Sequence, residues 1–281
     1  MFNYPNHRDN HFSLSSTNIS RSSNGVSHVQ DSNMPYDFTS KVALITGAGS
    51  GIGRATAQKL ASLGSKLALS DINHKGLAGT LKLCEGEGHY TEVSSVADTS
   101  ACTAFVENTV LHFGKLNMVF NCAGVNPTTI DLTDTTDEYF DKLVSTNLKG
   151  TFAITRAAIS HLEKQPGSSI VNVSSIMGVS VSSRISVYCM TKFGVNGFTK
   201  AMALELGPKG VRINAVAPGY IDTPTNAGVV AGGDAVRRQE EKSGMGRMGT
   251  AEEVADVVAF LFSDEAKYVN GSIFEVNGGR A

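Results

Sequence analysis

The pattern of hydrophobic and polar positions changes at Lys41. The segment before it, residues 1–40, is rich in Ser, Asn and His and has few aliphatic residues. From Lys41 onward, short apolar runs alternate with longer segments whose apolar positions recur at helical spacing. The short runs predict buried strands, and the helical spacing predicts helices that pack on them. Their alternation predicts a parallel sheet with helices on both faces.

The predicted elements form one α/β domain over residues 41–281. Strands are predicted at residues 42–45, 67–71, 89–93, 116–120, 169–173, 211–216 and 272–276. Helices are predicted at residues 54–63, 75–85, 99–113, 137–148, 150–164, 188–206 and 250–262. Two helices open with the capping-box pattern, at Thr135 with Glu138 and at Thr250 with Glu253. We therefore expect a doubly wound, Rossmann-type fold with a seven-stranded parallel sheet.

The N-terminal segment, residues 1–40, has too little apolar surface to offset the entropy cost of ordering it. We therefore expect a flexible polar tail. A transit peptide is the alternative, which Arg8 and Arg21 favour and Asp9 and Asp31 disfavour. The segment has no apolar signal-peptide core, which argues against secretion.

The composition fits a globular protein with a sizeable core. The chain has 281 residues, is 41% hydrophobic and carries a formal net charge of -2. The charge balance gives no reason to expect a nucleic-acid partner, and no apolar run is long enough to predict a membrane span. The four cysteines form no C-x-x-C pair, which favours reduced thiols in a cytoplasmic protein. We expect no metal site, because no His, Cys and Asp cluster has ligand spacing.

A glycine-rich turn, residues 46–53, lies between the first predicted strand and the first helix. Gly47 permits a tight turn, Gly51 lets a pyrophosphate approach the backbone, and Gly53 lets the helix pack close to the strand. The helix N-terminus attracts the anion. The spacing is G-x-x-x-G-x-G rather than G-x-G-x-x-G, and its strand-turn-helix context predicts a dinucleotide site.

Three further strand ends carry candidate cofactor contacts. Asp71 ends the second strand, where a carboxylate accepts hydrogen bonds from ribose hydroxyls and repels a 2′-phosphate, so NAD is expected rather than NADP. The alternative is that Asp71 only caps the next helix. Glu92 lies where an adenine contact is expected. After Asn121, the small residues Ala123 and Gly124 would let backbone lie against a flat ligand, although any strand-to-loop turn could have this composition.

Tyr188 and Lys192 are the candidate catalytic pair. They are four residues apart, so on a helix they share one face, and a neighbouring ammonium favours the phenolate form. A serine at the end of the fifth strand, Ser174 or Ser175, could reach the same place. The alternative is a core tyrosine with a solvated lysine one turn on. Asn147 lies inside a predicted helix and needs hydrogen-bond partners, so it is either structural or part of a site.

The candidate residues lie where parallel strands end, and these ends meet at one edge of the sheet. Residues 225–246, which include an apolar patch at residues 229–231, suggest a mobile, partly helical insertion that closes over a ligand. An ordinary surface loop is the alternative.

Taken together, these motifs resemble the short-chain dehydrogenase/reductase family over residues 41–279. The matching segments are T-G-A-G-S-G-I-G at 46–53, N-C-A-G at 121–124, Asn147, Ser175, Y-C-M-T-K at 188–192 and P-G-Y-I-D-T at 218–223. Cys122 stands where Asn is commoner in the family, and Glu92 stands where the family usually has an adenine-binding Asp.

The resemblance implies a role for each of several residues. Tyr188 exchanges a proton with the substrate oxygen, Lys192 lowers the pKa of Tyr188 and holds the nicotinamide ribose, and Ser175, rather than Ser174, hydrogen-bonds the carbonyl. Asn147 anchors a water in a proton relay. The residues expected at the dinucleotide are Gly47, Ser50, Gly51, Ile52, Gly53, Asp71, Glu92, Val93, Asn121, Ala123, Gly124, Tyr188, Lys192, Pro218, Gly219, Ile221 and Thr223, of which Ile221 and Thr223 contact the carboxamide.

The expected function is that of an NAD(H)-dependent oxidoreductase that interconverts a secondary alcohol and a ketone. Alternatives are an NADPH-dependent 3-oxoacyl reductase, whose acidic carrier Arg237 and Arg238 could attract, and a non-catalytic nucleotide-binding regulatory protein. An apolar or cyclic small molecule is the expected substrate, and the family suggests a homodimer or homotetramer. The expected substrate lining is Ile176, Met177, Val179, Val181 and the region around Val229.

Overall fold

The computed structural model describes residues 36–227 and 233–280. The strands of its main sheet are β1 Val42–Thr46, β2 Lys66–Asp71, β3 Tyr90–Val93, β4 Met118–Asn121, β5 Ser169–Val173, β6 Arg212–Pro218 and β9 Ile273–Val276. Across these described residues they pair in the order β3-β2-β1-β4-β5-β6-β9, and every pairing is parallel. A separate short pair joins β7 Ile221–Asp222 to β8 Gly249–Thr250. The predicted seven-stranded parallel sheet is confirmed.

Helices connect the strands and cover the sheet. They are α1 Gly51–Ser62, α2 His74–Leu83, α3 Thr99–Phe113, α4 Asp137–Leu143, α5 Gly150–Leu162, α6 Ser186–Leu206, α7 Pro224–Ala227, α8 Gly233–Glu240 and α9 Ala251–Phe262. A π-helical turn, Val144–Lys149, joins α4 to α5, and short 3-10 turns lie at Leu132–Asp134, Ile176–Gly178, Gly207–Lys209 and Asp264–Ala266. In the part of the chain that the structure describes, no helix has the length and apolarity that a membrane crossing requires.

The two faces of the sheet carry separate hydrophobic cores. On β1, Ala43 and Ile45 pack into a core with α1 and α9, whereas Val42 and Leu44 pack into a second core with α3, α5 and α6. Successive strand residues point to opposite faces, so a strand buried on both faces must be apolar at every position. The continuous apolar run of β1 is the sequence signature of this arrangement.

The strand order reverses at β1, between its neighbours β2 and β4. Connections from the two sides of this point leave on opposite faces, which opens a crevice beyond the carboxyl ends of the strands. Thr46 and Asn121 are register partners at these ends. The glycine-rich turn and the loop after β4 therefore start side by side.

Two predicted helix starts have different outcomes. The Thr250–Glu253 capping box is confirmed: the Thr250 hydroxyl accepts from the Glu253 amide at 3.2 Å, and the Glu253 carboxylate accepts from the Thr250 amide at 2.8 Å. The predicted Thr135–Glu138 box is wrong, because Thr136 is the N-cap and its hydroxyl accepts from the Tyr139 amide at 3.2 Å. The two adjacent threonines made the register ambiguous in the sequence.

The folded unit begins before the predicted boundary at residue 41. Phe38 is 3% exposed, and its amide donates to the Leu63 carbonyl at 2.8 Å. Its ring stacks on Tyr36, with ring centroids 6.3 Å apart. Residues 1–35, which hold the rest of the expected tail and the transit-peptide alternative, lie outside the described residues, as does the expected apolar patch around Val229.

Candidate active site

Tyr188 and Lys192 lie in the first turns of α6 and share its inward face. Both are buried, and the Lys192 Nζ lies 5.7 Å from the centre of the Tyr188 ring. The ammonium donates a hydrogen bond to the carbonyl of Val173 at 2.9 Å, which brings the lysine to the end of β5. The structure therefore places a phenol and an ammonium together at the carboxyl edge of the sheet.

The two serines after β5 point in different directions. The Ser174 hydroxyl is buried and donates to the Lys192 carbonyl at 3.3 Å, so it serves the packing of α6. The Ser175 side chain accepts from the Met177 amide at 3.1 Å, and it lies near enough to Tyr188 to lower the pKa of that phenol. Of the two, Ser175 is the serine that faces the phenol.

Burial dominates the pKa values of the pair. It raises the pKa of Tyr188 to about 12, and the hydrogen bond from Ser175 offsets part of that rise. Burial also lowers the pKa of Lys192 to about 8, because the ammonium loses solvation. The expectation that Lys192 lowers the pKa of Tyr188 is not supported here, since desolvation outweighs other influences on the phenol.

Asn147 lies in the π-helical turn between α4 and α5 and is 1% exposed. Its side-chain oxygen accepts from the Val125 amide at 2.8 Å, and its side-chain nitrogen donates to the Val125 carbonyl at 3.0 Å. A Cβ placed on Gly124 would lie 3.2 Å from this oxygen and 3.9 Å from the Lys192 Nζ, so the three residues meet. Both side-chain atoms of Asn147 therefore bind the backbone of Val125, and the water relay stays a prediction.

The glycine-rich turn lies directly against the loop after β4. Gly47 has a φ of +68°, and a Cβ there would lie 2.8 Å from the backbone of Ala123. A Cβ on Gly53 would lie 2.1 Å from the Gly47 carbonyl oxygen, which no side chain could tolerate. The Thr46 hydroxyl, which sequence reasoning missed, accepts from the amides of Cys122 and Ala123 at 3.2 Å each. These contacts fix the shape of the turn.

The N-terminus of α1 fits a phosphate group. Ser50 is the N-cap in extended conformation, its side chain makes no capping hydrogen bond, and the first turn contains no acidic residue. The first amides of a helix lack intrahelical acceptors and carry partial positive charge, so they bind anions. The residues here fit the pyrophosphate of a dinucleotide.

Asp71 braces the glycine-rich turn. One carboxylate oxygen accepts from the Gly49 amide at 2.8 Å, and the other accepts from the Asn73 amide at 2.8 Å. The alternative that Asp71 caps the next helix is wrong, because Asn73 is the N-cap of α2 and accepts from Gly76 at 3.0 Å. An ionised carboxylate has about four acceptor positions, so Asp71 can still accept from ribose hydroxyls.

Glu92 and Asn121 have side chains that face away from the expected cofactor position. The Glu92 carboxylate accepts from the Tyr90 hydroxyl at 2.7 Å and from the Asn108 amide group at 2.9 Å, towards α3. The Asn121 side chain is buried and donates to Thr155 at 3.1 Å, so only its backbone could meet a dinucleotide. The expected adenine contact from the Glu92 side chain is therefore not supported. Val93, at the strand end, is 52% exposed.

The segment after β6 reaches back to the glycine-rich turn. A Cβ on Gly51 would lie 3.2 Å from the Thr223 methyl group, and Gly219 packs so closely on Asn277 that a Cβ there would lie 2.9 Å from it. Ile221 is buried, and Pro218 ends β6. Thr223 thus lies beside the glycine-rich turn, and the cofactor contacts expected of Pro218, Gly219, Ile221 and Thr223 stay predictions.

Asn226 joins two loops, and no signal in the sequence had indicated this. Its side-chain oxygen accepts from Asn126 at 2.5 Å, and its side-chain nitrogen donates to the Ile221 carbonyl at 2.7 Å. The loop after β4 and the segment after β7 are tied together by this amide pair.

The apolar surroundings of Tyr188 differ in part from the expected substrate lining. Met177 packs against the cluster of Tyr188, Leu143 and Val187, as expected for a lining residue. Ile176 is only 5% exposed and belongs to the interior, whereas Val181 is 73% exposed. Three further members of the cluster were not predicted: Val125, Tyr139 and Ile185.

Comparisons with known proteins identify relatives of this chain. Residues 47–281 match the family described as enoyl-(acyl carrier protein) reductase. The chain is 38% identical to levodione reductase of Leifsonia aquatica over 254 residues, which cover 87% of this chain and 95% of that protein. It is 38% identical to cyclohexanol dehydrogenase of an Acinetobacter species over 247 residues, covering 87% and 96% of the two chains.

A third relative and a solved structure extend the agreement. The 3-oxoacyl-(acyl-carrier-protein) reductase of Thermotoga maritima is 37% identical over 241 residues, which cover 85% of this chain and 97% of that protein. The crystal structure of levodione reductase superposes with a TM-score of 0.81 at 37% identity, covering 86% of this chain and 97% of that one. The levodione reductase structure therefore shares the fold of this chain.

Proposed function

The chain belongs to the short-chain dehydrogenase/reductase family and is an oxidoreductase, and from that premise we propose that it interconverts a secondary alcohol and a ketone with NAD(H). The observation that carries the proposal is the meeting of Ser175, Tyr188 and Lys192 beside the glycine-rich turn. Hydride transfer to a carbonyl needs a group that polarises the oxygen and a proton source for the alkoxide that forms. Ser175 and Tyr188 are neighbouring hydroxyl groups that offer these two functions.

Each of these residues has a distinct task in the proposed reaction. A bound nicotinamide supplies or accepts the hydride. Ser175 holds the substrate oxygen through its hydroxyl, and Tyr188 gives its proton to that oxygen or takes it back. Lys192 is proposed to hold the nicotinamide ribose. Asn147 is proposed to take part in the proton relay that reaches Lys192. With a pKa raised to about 12, Tyr188 is protonated at neutral pH and is suited to donate, which favours testing ketone reduction first.

Asp71 supports NAD as the preferred cofactor. Its carboxylate lies at the end of β2 against the Gly49 amide, next to the phosphate-binding turn. A negative charge there accepts hydrogen bonds from the adenosine ribose and repels a 2′-phosphate. Arg54, the nearest cation in the sequence after the turn, donates to the Gly49 and Gly76 carbonyls and to Thr80, so it is committed to bracing the turn.

An apolar, cyclic ketone or alcohol is the substrate class we propose. The apolar cluster around Tyr188 supports it, and so do the names of two relatives, levodione reductase and cyclohexanol dehydrogenase. The test is an absorbance screen of cyclic and linear ketones with NADH and with NADPH. We expect turnover with NADH and a cyclic ketone. No turnover across the panel, despite tight NADH binding, would instead favour a non-catalytic regulatory protein.

An NADPH-dependent 3-oxoacyl reductase is the second candidate. The Thermotoga maritima relative carries that activity in its name, and Arg237 and Arg238 lie in the last turn of α8, where they could attract an acidic carrier. Asp71 argues against NADPH. A 3-oxoacyl thioester turned over faster with NADPH than any cyclic ketone with NADH would decide for this candidate.

We also propose that the protein forms a homodimer or homotetramer in the cytoplasm. The helices α5 and α6 expose large apolar side chains, of which Phe152 is 42%, Met190 50% and Phe193 45% exposed. Such side chains on adjacent helices are typical of subunit interfaces. The four cysteines are free, which fits a reducing compartment. Light scattering of the purified protein measures the mass of the assembly.

A further inference from the structure

A short segment after β6 extends from the glycine-rich turn to the loop after β4. It consists of β7, Thr223 and α7, and we call it the strap. Its base is fixed, because β7 pairs with β8 and Ile221 is 3% exposed. On one side it meets α1: the Thr223 methyl group lies 3.2 Å from the position of a Cβ on Gly51, the first residue of that helix.

The other side of the strap is held by a pair of amide side chains. The Asn126 side chain, in the loop after β4, donates to the side-chain oxygen of Asn226 at 2.5 Å. The Asn226 side-chain nitrogen donates to the Ile221 carbonyl at 2.7 Å. A carbonyl only accepts, so the nitrogen of this amide must face Ile221 and its oxygen is left for Asn126. We call the hydrogen bond between Asn126 and Asn226 the latch.

The strap therefore contacts two walls that both belong to the proposed dinucleotide site. Gly51 lies in the first turn of α1, whose open amides fit the pyrophosphate. Asn126 follows Gly124 by two residues, and a Cβ on Gly124 would lie 3.9 Å from the Lys192 Nζ, the group proposed to hold the nicotinamide ribose. A dinucleotide that extends from α1 to Lys192 spans the same two walls as the strap.

The latch consists of the protein's own groups. Neither Asn126 nor Asn226 is among the residues expected to contact the dinucleotide, and both atoms of the Asn226 amide group have protein partners. The latch is therefore compatible with the free protein and with the cofactor complex. An interaction that is equal in two states does not shift the equilibrium between them, so its removal should change rates rather than affinity.

We propose that the latch controls cofactor exchange: the hydrogen bond between Asn126 and Asn226 must break before NAD(H) enters or leaves, and it forms again over the bound cofactor. The inference rests on the proposed function, since it concerns the cofactor site of that function. It assigns a role to two residues that have none in the proposed chemistry. Opening of such segments limits the rate of ligand release in many enzymes.

The variant N126A tests the latch, because it removes the donor and leaves the contacts of Asn226 within the strap intact. We expect the association and dissociation rate constants of NADH, measured by stopped-flow fluorescence, each to rise about fivefold. This factor corresponds to about 1 kcal/mol, typical of one hydrogen bond. The Kd for NADH should stay within about twofold of the parent value. Unchanged rate constants, or a Kd that rises in step with the dissociation rate, would overturn the proposal.

A double-mutant cycle shows whether the two amides act through each other. N226A removes the latch and also the contact with Ile221, so its exchange rates should rise at least as much as those of N126A. The double variant N126A/N226A should exchange NADH at the same rates as N226A, because the latch is already lost. A further fivefold increase in the double variant would show that Asn126 acts independently of Asn226, which contradicts the proposal.

Thr129→Ala is the matched control. Thr129 is exposed in the same loop as Asn126, and its substitution leaves the latch intact. We expect both rate constants of T129A to equal those of the parent. An increase as large as in N126A would mean that any change in this loop speeds cofactor exchange, and the latch would have no specific part in it.

Amide hydrogen exchange tests the latch without cofactor or turnover. The Asn226 amide donates to the Thr223 hydroxyl at 3.3 Å, so it should exchange faster in N126A, where the strap opens more often. Unchanged exchange overturns the latch. Faster NADH exchange in N126A, with no ketone reduced in the screen, supports the latch and rejects the proposed function alone. Ketone reduction by the parent, with unchanged NADH rates in N126A, rejects the latch alone, and a chain that binds neither NADH nor NADPH rejects both.

Discussion

The dinucleotide region and the substrate region of this protein are built by different means. The dinucleotide region, residues 42–71 with the loop at 121–124, is shaped by backbone: glycines at positive φ, carbonyls in close contact and the open amides of α1. The substrate region, made of the loops at 125–136, 174–187 and 220–227, is held by side chains that bind distant backbone, as Asn147 binds Val125 and Tyr139 binds Thr128. The first region has no space for a Cβ at Gly47 or Gly53, although the side chains of Thr46 and Asp71 also brace it. The second region depends on side-chain partners that can be exchanged.

This difference decides what the sequence of each region reveals about its ligand. A turn whose shape depends on missing Cβ atoms suits one kind of ligand, and the ligand proposed for this turn is a dinucleotide phosphate. A cleft whose walls are held by single side-chain contacts can change its shape when one pair of contacting residues is substituted. Cofactor class can therefore be inferred from motifs, and substrate identity cannot.

The largest effect should come from the residue at which the two regions meet. Tyr188→Phe removes the hydroxyl and keeps the packing of α6, so we expect turnover to fall about a thousandfold, within the range for loss of a general acid. The Kd for NADH should stay the same. Fluorescence titration and single-turnover kinetics measure both quantities. Tyr268→Phe, at a fully exposed tyrosine, is the control. Activity of Tyr188→Phe within a few-fold of the parent would reject proton transfer by Tyr188.

The next largest effect should arise in the backbone-built region. In Gly53→Ala the new Cβ would lie 2.1 Å from the Gly47 carbonyl oxygen, so α1 or the turn must move. We expect a loss of about 1–3 kcal/mol in stability, typical of overpacking, and a much weaker affinity for NADH. Calorimetry and NADH titration measure the two effects.

Gly197→Ala is the control for Gly53→Ala. Gly197 lies in α6, and a Cβ added there would have nothing within 4 Å. Alanine is preferred over glycine in helices, so this variant should gain up to about 1 kcal/mol. Equal behaviour of the two variants would show that the close contact in the turn is not limiting.

A smaller effect should separate the two cofactors. Asp71→Asn removes the negative charge and keeps one oxygen that can accept from Gly49 or Asn73. We expect the preference for NADH over NADPH, measured as the ratio of kcat/KM values, to fall about tenfold, which corresponds to roughly 1.4 kcal/mol. An unchanged ratio would mean that the charge of Asp71 has no part in cofactor choice.

The smallest effect should be a change in how stability depends on pH. The pKa of Lys192 is about 8 in the folded protein, against about 10.4 for an unfolded lysine, so between these values the unfolded state binds more protons. Stability from this group therefore rises with pH from about 8 to about 10, and below pH 8 the full cost of the buried charge remains. Lys192→Met should lose this rise, and melting curves at several pH values measure it.

Lys200→Met, at an exposed lysine on the same helix, should keep the pH dependence of the parent. An identical slope in Lys192→Met and in the parent would show that Lys192 is not desolvated. That result would show that burial does not lower the pKa of Lys192.

Local chemistry made much of the fold predictable. The continuous apolar runs located the strands, the strand-turn-helix context located the glycine-rich turn, and β5 was predicted at its observed bounds, Ser169–Val173. Each of these features depends on residues adjacent in the chain. The misplaced cap at Thr135 shows the limit of this reasoning, because two neighbouring threonines are locally equivalent and packing selects Thr136.

The sequence by itself determined the parallel sheet, the glycine-rich turn and the spacing of Tyr188 and Lys192, because all three follow from short-range sterics and periodicity. Tertiary structure alone decided that Glu92 binds Asn108, that the Asn121 side chain is buried, and that the pKa of Tyr188 rises to about 12. It also decided the left-handed conformation of Arg184. The reason is common to these cases: desolvation and hydrogen-bond partners come from residues far apart in the chain, and only the folded protein brings them together.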